Sequence, residues 1–275
     1  MPIRTGRYVL TLPSRPVIAG SAAVVGKKEG EGPLGQEFDH IFTDTTMGEP
    51  SWEKAESALV REAVIRALAK ASLSSAEIDV IFSGDLLNQC IATTFGLREL
   101  DIPFAGLYGA CSTMALSLAM AAVFTDSGAA NNAIASTSSH FASAEKQFRY
   151  PLEYGGQRPP SAQWTATAAG AAVVSKSGGG PRIEQVLFGR IQDLGIKDAN
   201  NMGAAMAPAA CATIADFLRD TNTKPTDYDM ILTGDLGAVG SKLLIELLQQ
   251  QEGIDISPVH ADCGLMLYSL DEQDV

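Results

Sequence analysis

Histidine, cysteine and basic residues are scarce in this 275-residue chain, and each shortage excludes a class of function. The histidines, His40, His140 and His260, lie far apart, and the four cysteines lack the paired spacing of structural zinc sites. We therefore expect no zinc site, no resident cofactor and no disulfide framework, which suits a reducing compartment. With 20 Lys and Arg against 32 Asp and Glu, the net charge is −12, and nucleic acid is disfavoured as a partner.

Long hydrophobic runs are also missing. The most apolar stretch, around residues 110–124, is shorter than the roughly 20 residues that span a bilayer, and it contains Ser and Thr. At the N-terminus, Arg4 and Arg7 precede a short apolar run that ends at Pro13, which is not typical of a signal peptide. We expect a soluble protein without a membrane span, cytoplasmic or held at a membrane by another protein.

The most informative segment is LYGACSTMALSLAMAA at residues 107–122, where a cysteine follows a glycine-containing turn and opens a helix of small and apolar residues. Cys111 would then lie at a helix N-terminus, where unpaired N–H groups and partial positive charge favour the thiolate. The alternative interpretation is a buried structural cysteine, because free Cys behaves as a small hydrophobe. Residues 112–125 carry no charge, so we expect this helix to be central and buried.

The chain repeats itself. DVIFSGDL at residues 79–86 matches DMILTGDL at residues 229–236, and the same offset of 150 aligns the apolar patterns that precede both motifs. Each copy predicts an amphipathic helix, a polar turn, a short apolar strand and a Gly-Asp turn. Two copies indicate a duplicated fold and not a solenoid. Asp85 and Asp235 end equivalent strands, where an Asp more often caps a turn than binds a ligand.

The order of predicted elements is that of an α/β protein. Strands are predicted at residues 17–25, 80–83, 133–137, 168–174 and 183–191, and helices at 52–71 and after Cys111. We expect two halves, residues 1–177 and 181–275, joined by the turn-rich segment SKSGGGP. A long loop over residues 148–162 carries basic residues, and long loops in compact domains are often functional.

Several segments together carry a resemblance to a known family. They are TLPSRPVIAG (11–20), FSGDLLNQ (82–89), the Cys111 turn, SSHFASAEKQFRYP (138–151), DLGIKDANNMG (193–203) and HADCG (260–264). The duplicated βαβαβ unit with a cysteine turn resembles the thiolase fold of condensing enzymes, and the whole chain resembles the stage V sporulation protein AD (SpoVAD) family. The resemblance implies a layered α-β-α-β-α arrangement of two halves. The second half is expected to be incomplete, because the repeat lacks an equivalent of the Cys111 unit after residue 271.

The resemblance also implies a function. Members of this family belong to the spore apparatus that moves dipicolinic acid (pyridine-2,6-dicarboxylate) into the developing spore and out at germination. They bind the ligand without established turnover and act with other SpoVA-type membrane proteins at the spore inner membrane. Thiolase-fold proteins pair through edge strands of their first halves, so a homodimer is implied, and we expect residues 133–138 to form the pairing strand.

A planar ligand with two carboxylates requires N–H or cationic donors at both ends and apolar or aromatic walls for the ring. The helix N-terminus at Cys111 offers N–H groups, and neighbouring side chains could add charge and stacking. The candidate ligand-binding residues are Tyr108, Cys111, Ser112, His140, Lys146 and Arg149. Calcium would enter only with the ligand, and the sequence leaves open whether the free acid or its calcium chelate binds.

A missing histidine bears on catalysis. Condensing enzymes of this fold pair the cysteine with a histidine in a turn after a strand of the second half, whereas the corresponding turn here is Thr233-Gly-Asp-Leu236. Condensation needs donors for the developing oxyanion. His260 is a possible substitute, and the alternative interpretation is a surface histidine or one whose hydrogen bonds are satisfied within the fold. The sequence therefore favours a non-catalytic binding protein, and the alternative is a thioester-dependent acyltransferase or condensing enzyme that uses Cys111.

Overall fold

A computed structural model describes residues 1–148, 163–198 and 200–275, with the backbone alone for residues 145–148. The described strands are β1 (Ile3–Thr5), β2 (Val9–Thr11), β3 (Val17–Val25), β4 (His40–Ile41), β5 (Val80–Gly84), β6 (Phe104–Gly106), β7 (Asn132–Ser139), β8 (Ala168–Ser175), β9 (Gln185–Leu187), β10 (Ile231–Thr233) and β11 (His260–Asp262). The described α-helices are α1 (Lys27–Gly30), α2 (Trp52–Ala71), α3 (Ile91–Leu97), α4 (Thr113–Ser127), α5 (Phe141–Phe148), α6 (Met202–Thr221), α7 (Gly237–Glu252) and α8 (Cys263–Leu267).

The chain divides into two compact units. Unit 1 comprises residues 1–3, 12–156 and 165–184, and unit 2 comprises residues 4–11, 157–164 and 185–275. The main boundary between the units thus follows residue 184, and the short N-terminal segment 4–11 belongs to unit 2.

Unit 1 is built on a six-stranded sheet with the strand order β4-β3-β8-β7-β5-β6. Strand β8 runs antiparallel to both of its neighbours, and the other strands pair in parallel. Helix α2 packs on one face of this sheet and α4 packs on β5 and β7. Because helices cover both faces, β7 and β8 consist almost wholly of small and apolar residues. The predicted strands at 17–25, 80–83, 133–137 and 168–174 are confirmed.

The core of unit 1 lies between α2 and the sheet. Leu59, Val60 and Val64 on the helix are buried against Ile81 and Ile134 of the central strands. The predicted helix at residues 52–71 has these same bounds: the Ser51 hydroxyl accepts a hydrogen bond from the Lys54 N–H at its start.

The duplication predicted from the sequence is present in the structure. Helix α2 and helix α6 are both 20 residues long and lie 150 positions apart. Each ends at a residue in the left-handed conformation, Ser72 (φ 56°) and Asn222 (φ 53°), and each is followed by a short 3₁₀ turn at equivalent positions. The strands that follow, β5 and β10, end in the matching Gly-Asp turns.

Unit 2 places α6 and α7 in close contact. A side chain on Gly203 would lie within 2.3 Å of the Leu236 carbonyl oxygen, and one on Gly240 within 2.7 Å of the Gly203 Cα, so only glycine permits this crossing. Leu244 and Leu248 of α7 are buried with Ala207 of α6 in the core of the unit. Strand β10 pairs in parallel with β11, and β2 pairs antiparallel with β9.

Two sequence predictions are wrong in detail. The strand expected at residues 183–191 forms only over Gln185–Leu187, because its partner β2 is three residues long and the chain beyond, from Phe188 to Ile191, is largely exposed. Helix α4 is not wholly buried: only 39% of the stretch 110–127 is buried, since one face packs on the sheet and the described residues leave the other partly open.

The expected pairing strand for a dimer is also wrong. Residues 133–138 lie in β7, which is hydrogen-bonded to β5 on one side and to β8 on the other. A strand with both edges occupied has no backbone groups left for a second copy. The edges of the described sheet are β4 and β6.

A carboxyl group is buried inside unit 1. Glu56 on α2 is fully buried, and its carboxyl oxygens accept hydrogen bonds from the hydroxyls of Ser138 (3.0 Å) and Ser143 (2.7 Å). Burial raises the pKa of Glu56 to about 8, and the nearby Asp85 carboxylate adds to the increase. Glu56 is therefore protonated at neutral pH and joins α2, β7 and the start of α5 without carrying a charge.

The raised pKa of Glu56 predicts how the free energy of unfolding changes with pH. Its pKa rises from an ordinary 4.5 to about 8, so the folded state holds a proton that the unfolded state releases, and stability falls as the pH rises through this range. Glu56→Gln, which has the same shape without the charge, should lose less stability between about pH 6 and about pH 9. Urea denaturation at both pH values measures this. Glu99→Gln, at an exposed ion pair with Arg61, should retain the wild-type dependence; equal dependence in all three proteins would contradict the assignment.

Candidate functional site

The Cys111 turn lies after the edge strand β6 of unit 1. The Leu107 N–H donates to the Ser83 carbonyl oxygen at 2.8 Å, which ties the turn to the end of β5. Residues 110–112 form a 3₁₀ turn in which Ala110 has a φ of 47°, a conformation that costs energy for a residue with a Cβ, and α4 follows directly. Cys111 and Ser112 are exposed, so the interpretation of Cys111 as a buried structural cysteine is wrong.

A fully buried carboxylate, that of Asp85, stabilises the Cys111 turn through hydrogen bonds to the neighbouring chain. Asp85, at the end of β5, accepts hydrogen bonds from the Leu87 N–H (2.9 Å), the Thr93 N–H (2.8 Å) and the Thr93 hydroxyl (2.9 Å). These bonds fix the start of α3 and place Cys90 so that its thiol donates to the Leu107 carbonyl oxygen at 3.2 Å. Burial raises the pKa of Cys90, and the Asp85 charge adds to the increase, so this cysteine remains a thiol donor.

His140 is placed in the interior of unit 1. Its Nε2 donates to the Thr45 carbonyl oxygen at 2.8 Å, because Nδ1 accepts from the Ala142 N–H at 3.2 Å and must therefore be unprotonated. The ring stacks on Trp52 at 5.4 Å between centroids, and burial lowers its pKa. His140 is thus a neutral imidazole with both nitrogens engaged. It would bind a ligand only by giving up one of these bonds.

The other candidate residues differ in how they are placed. Tyr108 is 54% exposed beside the Cys111 turn, and the Ser112 hydroxyl donates to the Gly109 carbonyl oxygen at 2.7 Å. Lys146 lies on α5, where only the backbone is described, and Arg149 lies outside the described residues. The geometry therefore brings Tyr108, Cys111 and Ser112 together at one turn.

In unit 2, the turn after β10 contains no histidine but is contacted by one. The Thr233 hydroxyl donates to the Asp262 carboxylate at 2.8 Å and accepts from His260 Nε2 at 3.0 Å. The same carboxylate accepts from the N–H groups of Leu236 (2.9 Å) and Gly237 (3.2 Å), which fixes the start of α7. Burial lowers the pKa of His260 against the opposing effect of the Asp262 charge. His260 is therefore held in this network as a neutral ring.

Asp235 occupies the position equivalent to Asp85 but has a different environment. The expectation that both aspartates cap turns holds for Asp85, whereas in unit 2 Asp262 binds the turn. Asp235 accepts instead from the Gln163 side-chain amide at 2.8 Å. Desolvation and the neighbouring Asp262 charge raise its pKa to about 6. The matching Gly-Asp motifs identify Asp235 in the sequence. They do not indicate that Asp262, at the end of a different strand, accepts the hydrogen bonds of the turn.

Two properties of the described residues bear on the class of site. Within them, no group of three or more His, Cys, Asp or Glu residues is arranged to hold a metal ion. One helical stretch of the described chain, Ala110–Ser127, is long and apolar enough to cross a membrane by length and composition, a test that core helices of soluble proteins also pass.

The fold defined by these two units is the thiolase-like fold of condensing enzymes. The chain is similar to 3-oxoacyl-[acyl-carrier-protein] synthase III of Aquifex aeolicus, with 17% identity, a TM-score of 0.55, and coverage of 92% of this chain and 85% of the synthase. It is also similar to OleA of Xanthomonas campestris determined with cerulenin, with 11% identity, a TM-score of 0.61, and coverage of 97% and 84%. At such identities the likeness concerns the fold alone.

Sequence comparison identifies the family within this fold. The family model for stage V sporulation protein AD (SpoVAD) matches residues 6–275. The stage V sporulation protein AD of Bacillus subtilis is 46% identical over 255 residues, covering 93% of this chain and 75% of that protein. The chain therefore belongs to the stage V sporulation protein AD family, as the sequence predicted.

The support beneath the Cys111 turn can be tested at Gly84. A Cβ there would lie 1.9 Å from the Leu107 carbonyl oxygen and 2.9 Å from Thr113 Cγ2. Gly84→Ala should therefore displace the peptide that accepts the Cys90 thiol and destabilise the protein by about 1–3 kcal/mol, measured by urea denaturation. Iodoacetamide should label Cys90 in this variant under native conditions but not in the wild type.

Gly170→Ala is the matched control in the same sheet, because a Cβ there has only the Met114 sulfur within reach, at 3.8 Å. It should leave both stability and labelling unchanged. If Gly84→Ala behaves like Gly170→Ala, the turn does not depend on this contact.

Proposed function

We propose that this protein binds dipicolinic acid, free or as its calcium chelate, without catalytic turnover, and acts in uptake of the acid into the spore and release at germination. The observation that carries the proposal is membership in the sporulation family over nearly the whole chain. The exposed turn at the start of α4 supports it, because backbone N–H groups at a helix N-terminus favour carboxylates without a charged side chain.

The surroundings of the turn suit an aromatic dicarboxylate. Tyr108 presents an exposed ring that can pack on a pyridine, and Ser112 offers a hydroxyl next to the first N–H groups of α4. Lys146 and Arg149 remain the proposed cationic partners of the second carboxylate. Calcium is proposed only as cargo carried with the ligand.

The hydrogen bonds of the turn after β10 in unit 2 support the absence of turnover. In the turn from Thr233 to Leu236, the side chains of Thr233 and Asp235 are hydrogen-bonded to other groups of the protein, and His260 donates to Thr233. A neutral histidine in that bond is a poor donor for a developing oxyanion, which requires groups aimed at the reacting atom. The alternative function, acyl transfer through Cys111, is favoured by the exposure of the thiol and by the fold shared with condensing enzymes.

Calorimetric titration with dipicolinic acid, with and without calcium, tests the proposal. The wild type should bind saturably, and Cys111→Trp, which covers the turn, should weaken binding at least about tenfold, or roughly 1.4 kcal/mol. Cys263→Trp is the matched control, because Cys263 is also an exposed cysteine but lies in unit 2, and it should bind like the wild type.

Incubation with an acyl-thioester, followed by mass spectrometry, separates the two functions. No acyl adduct at Cys111 is expected. Acylated Cys111 in a protein that shows no heat of binding with the dicarboxylate would overturn the binding function in favour of acyl transfer.

We also propose a homodimer that pairs through β6, with the protein held at the spore inner membrane by SpoVA-type membrane proteins. Strand β6 ends the described sheet, and its Phe104 side chain is 37% exposed. Helix α3 of the same unit exposes Ile91 and Phe95 one turn apart. A two-fold strand pairing would cover the unpaired edge of β6 and the exposed ring of Phe104.

Light scattering after size exclusion tests the dimer. The wild type should elute as a dimer at micromolar concentration, and Phe104→Asp should elute as a monomer because a charge would be buried at the pairing edge. Ile191→Asp, at a side chain that is 99% exposed in unit 2, should remain dimeric. A monomeric wild type, or a dimeric Phe104→Asp, would exclude pairing through β6.

A further inference from the structure

A cavity of about 230 Å³ lies within unit 2, beside the turn that joins β10 to α7. Most of its wall is apolar. The wall residues that matter for recognition are Trp164, Leu236, Val239, Leu265, Tyr268 and Leu270. This volume is below the roughly 300–1,000 Å³ of sites for drug-sized ligands, so the cavity suits a molecule of about one ring.

One carboxylate faces this apolar wall. Asp235 lines the cavity and accepts a hydrogen bond from Gln163, another lining residue, at 2.8 Å. A carboxylate can accept about four hydrogen bonds, so Asp235 retains acceptor capacity. Its Oδ1 lies directly over Gly264: a Cβ at that position would be 2.0 Å away, so any side chain there would displace the carboxylate.

A second carboxylate lies behind the first. A Cβ on Gly264 would also lie 3.3 Å from Asp262 Oδ1, so the two carboxyl groups flank this one glycine. Asp262 is 2% exposed, and its oxygens accept from the Thr233 hydroxyl and from the N–H groups of Leu236, Gly237 and Gly264. Asp262 is thus committed to the fold, whereas its charge reinforces the negative potential at Asp235.

The described residues of the lining supply no balancing charge, because none of them is Lys, Arg or His. In the same part of the chain, no group of acidic, His or Cys side chains is arranged to hold a metal ion. A divalent cation such as calcium needs six to eight oxygen ligands, which one available carboxylate does not provide. An ammonium group needs only a few acceptors, and its apolar substituent would replace water along the wall.

We propose that the unit 2 cavity binds a small organic cation, a primary ammonium on an apolar or aromatic body, with the ammonium on Asp235 and the body against Leu265 and Tyr268. The tyrosine ring adds a face on which a cation or an aromatic group can pack. The ligand is opposite in charge to a dicarboxylate, and every residue used lies in unit 2, so the proposal uses no residue of the Cys111 turn.

The test uses the full chain and benzylamine as the probe, with binding measured by calorimetry near neutral pH. Benzylamine should bind saturably, and benzyl alcohol, which has the same body without the charge, should bind at least tenfold more weakly. Asp235→Asn should weaken benzylamine binding at least tenfold. Glu246→Gln removes an exposed charge from α7 outside the lining and should bind benzylamine like the wild type.

Val239→Phe guards against a merely structural effect of the Asp235 change. It retains both carboxylates but fills part of the cavity, so it should also weaken benzylamine binding while circular dichroism shows a folded protein. Failure of benzylamine to bind, equal binding of benzyl alcohol, or undiminished binding by Asp235→Asn would each overturn the proposal. Displacement of benzylamine by calcium would show an inorganic cation site instead, and displacement by dipicolinic acid would show that the two ligands share one site.

Discussion

The candidate site depends on one buried interaction, the hydrogen bonds that Asp85 accepts at the end of β5. This carboxylate binds the N–H of Leu87 and both donors of Thr93, and so fixes the path of the chain into α3. Cys90 is thereby brought under the Leu107 carbonyl group, and the turn that presents Cys111 rests on that contact. Because Asp85 is fully buried, its removal would leave several donors unpaired in the interior. The turn that presents Cys111 is thus positioned by buried hydrogen bonds.

The duplicated halves show how one motif can take two roles. In unit 1 the aspartate of the Ser-Gly-Asp turn is the structural anchor, whereas in unit 2 Asp262 has taken over that anchoring and Asp235 is left beside a cavity. The exchange raises the pKa of Asp235 to about 6, because it is desolvated next to a like charge. Duplication therefore preserved the backbone, including the left-handed ends of α2 and α6, while the polar groups diverged.

Much of the fold could be predicted from the sequence because its signals are local. The Ser51 cap, the apolar spacing of α2 and the runs of small and apolar residues in β7 and β8 specify elements without knowledge of their neighbours. Residues whose environment is set by distant contacts could not be predicted. The sequence predicts His140 at a ligand, but the ring lies buried against Trp52 and Phe141. It predicts residues 133–138 at an edge, but they lie inside the sheet. Long-range pairing determines both outcomes.

The central claim is that the Cys111 turn receives a dicarboxylate and performs no chemistry on it. A crystal structure of the protein soaked with dipicolinic acid tests this most directly. The account predicts intact ligand with a carboxylate at the N–H groups that begin α4 and its ring against Tyr108. Ligand density only elsewhere in the protein, or a covalent adduct on the Cys111 sulfur, would contradict it.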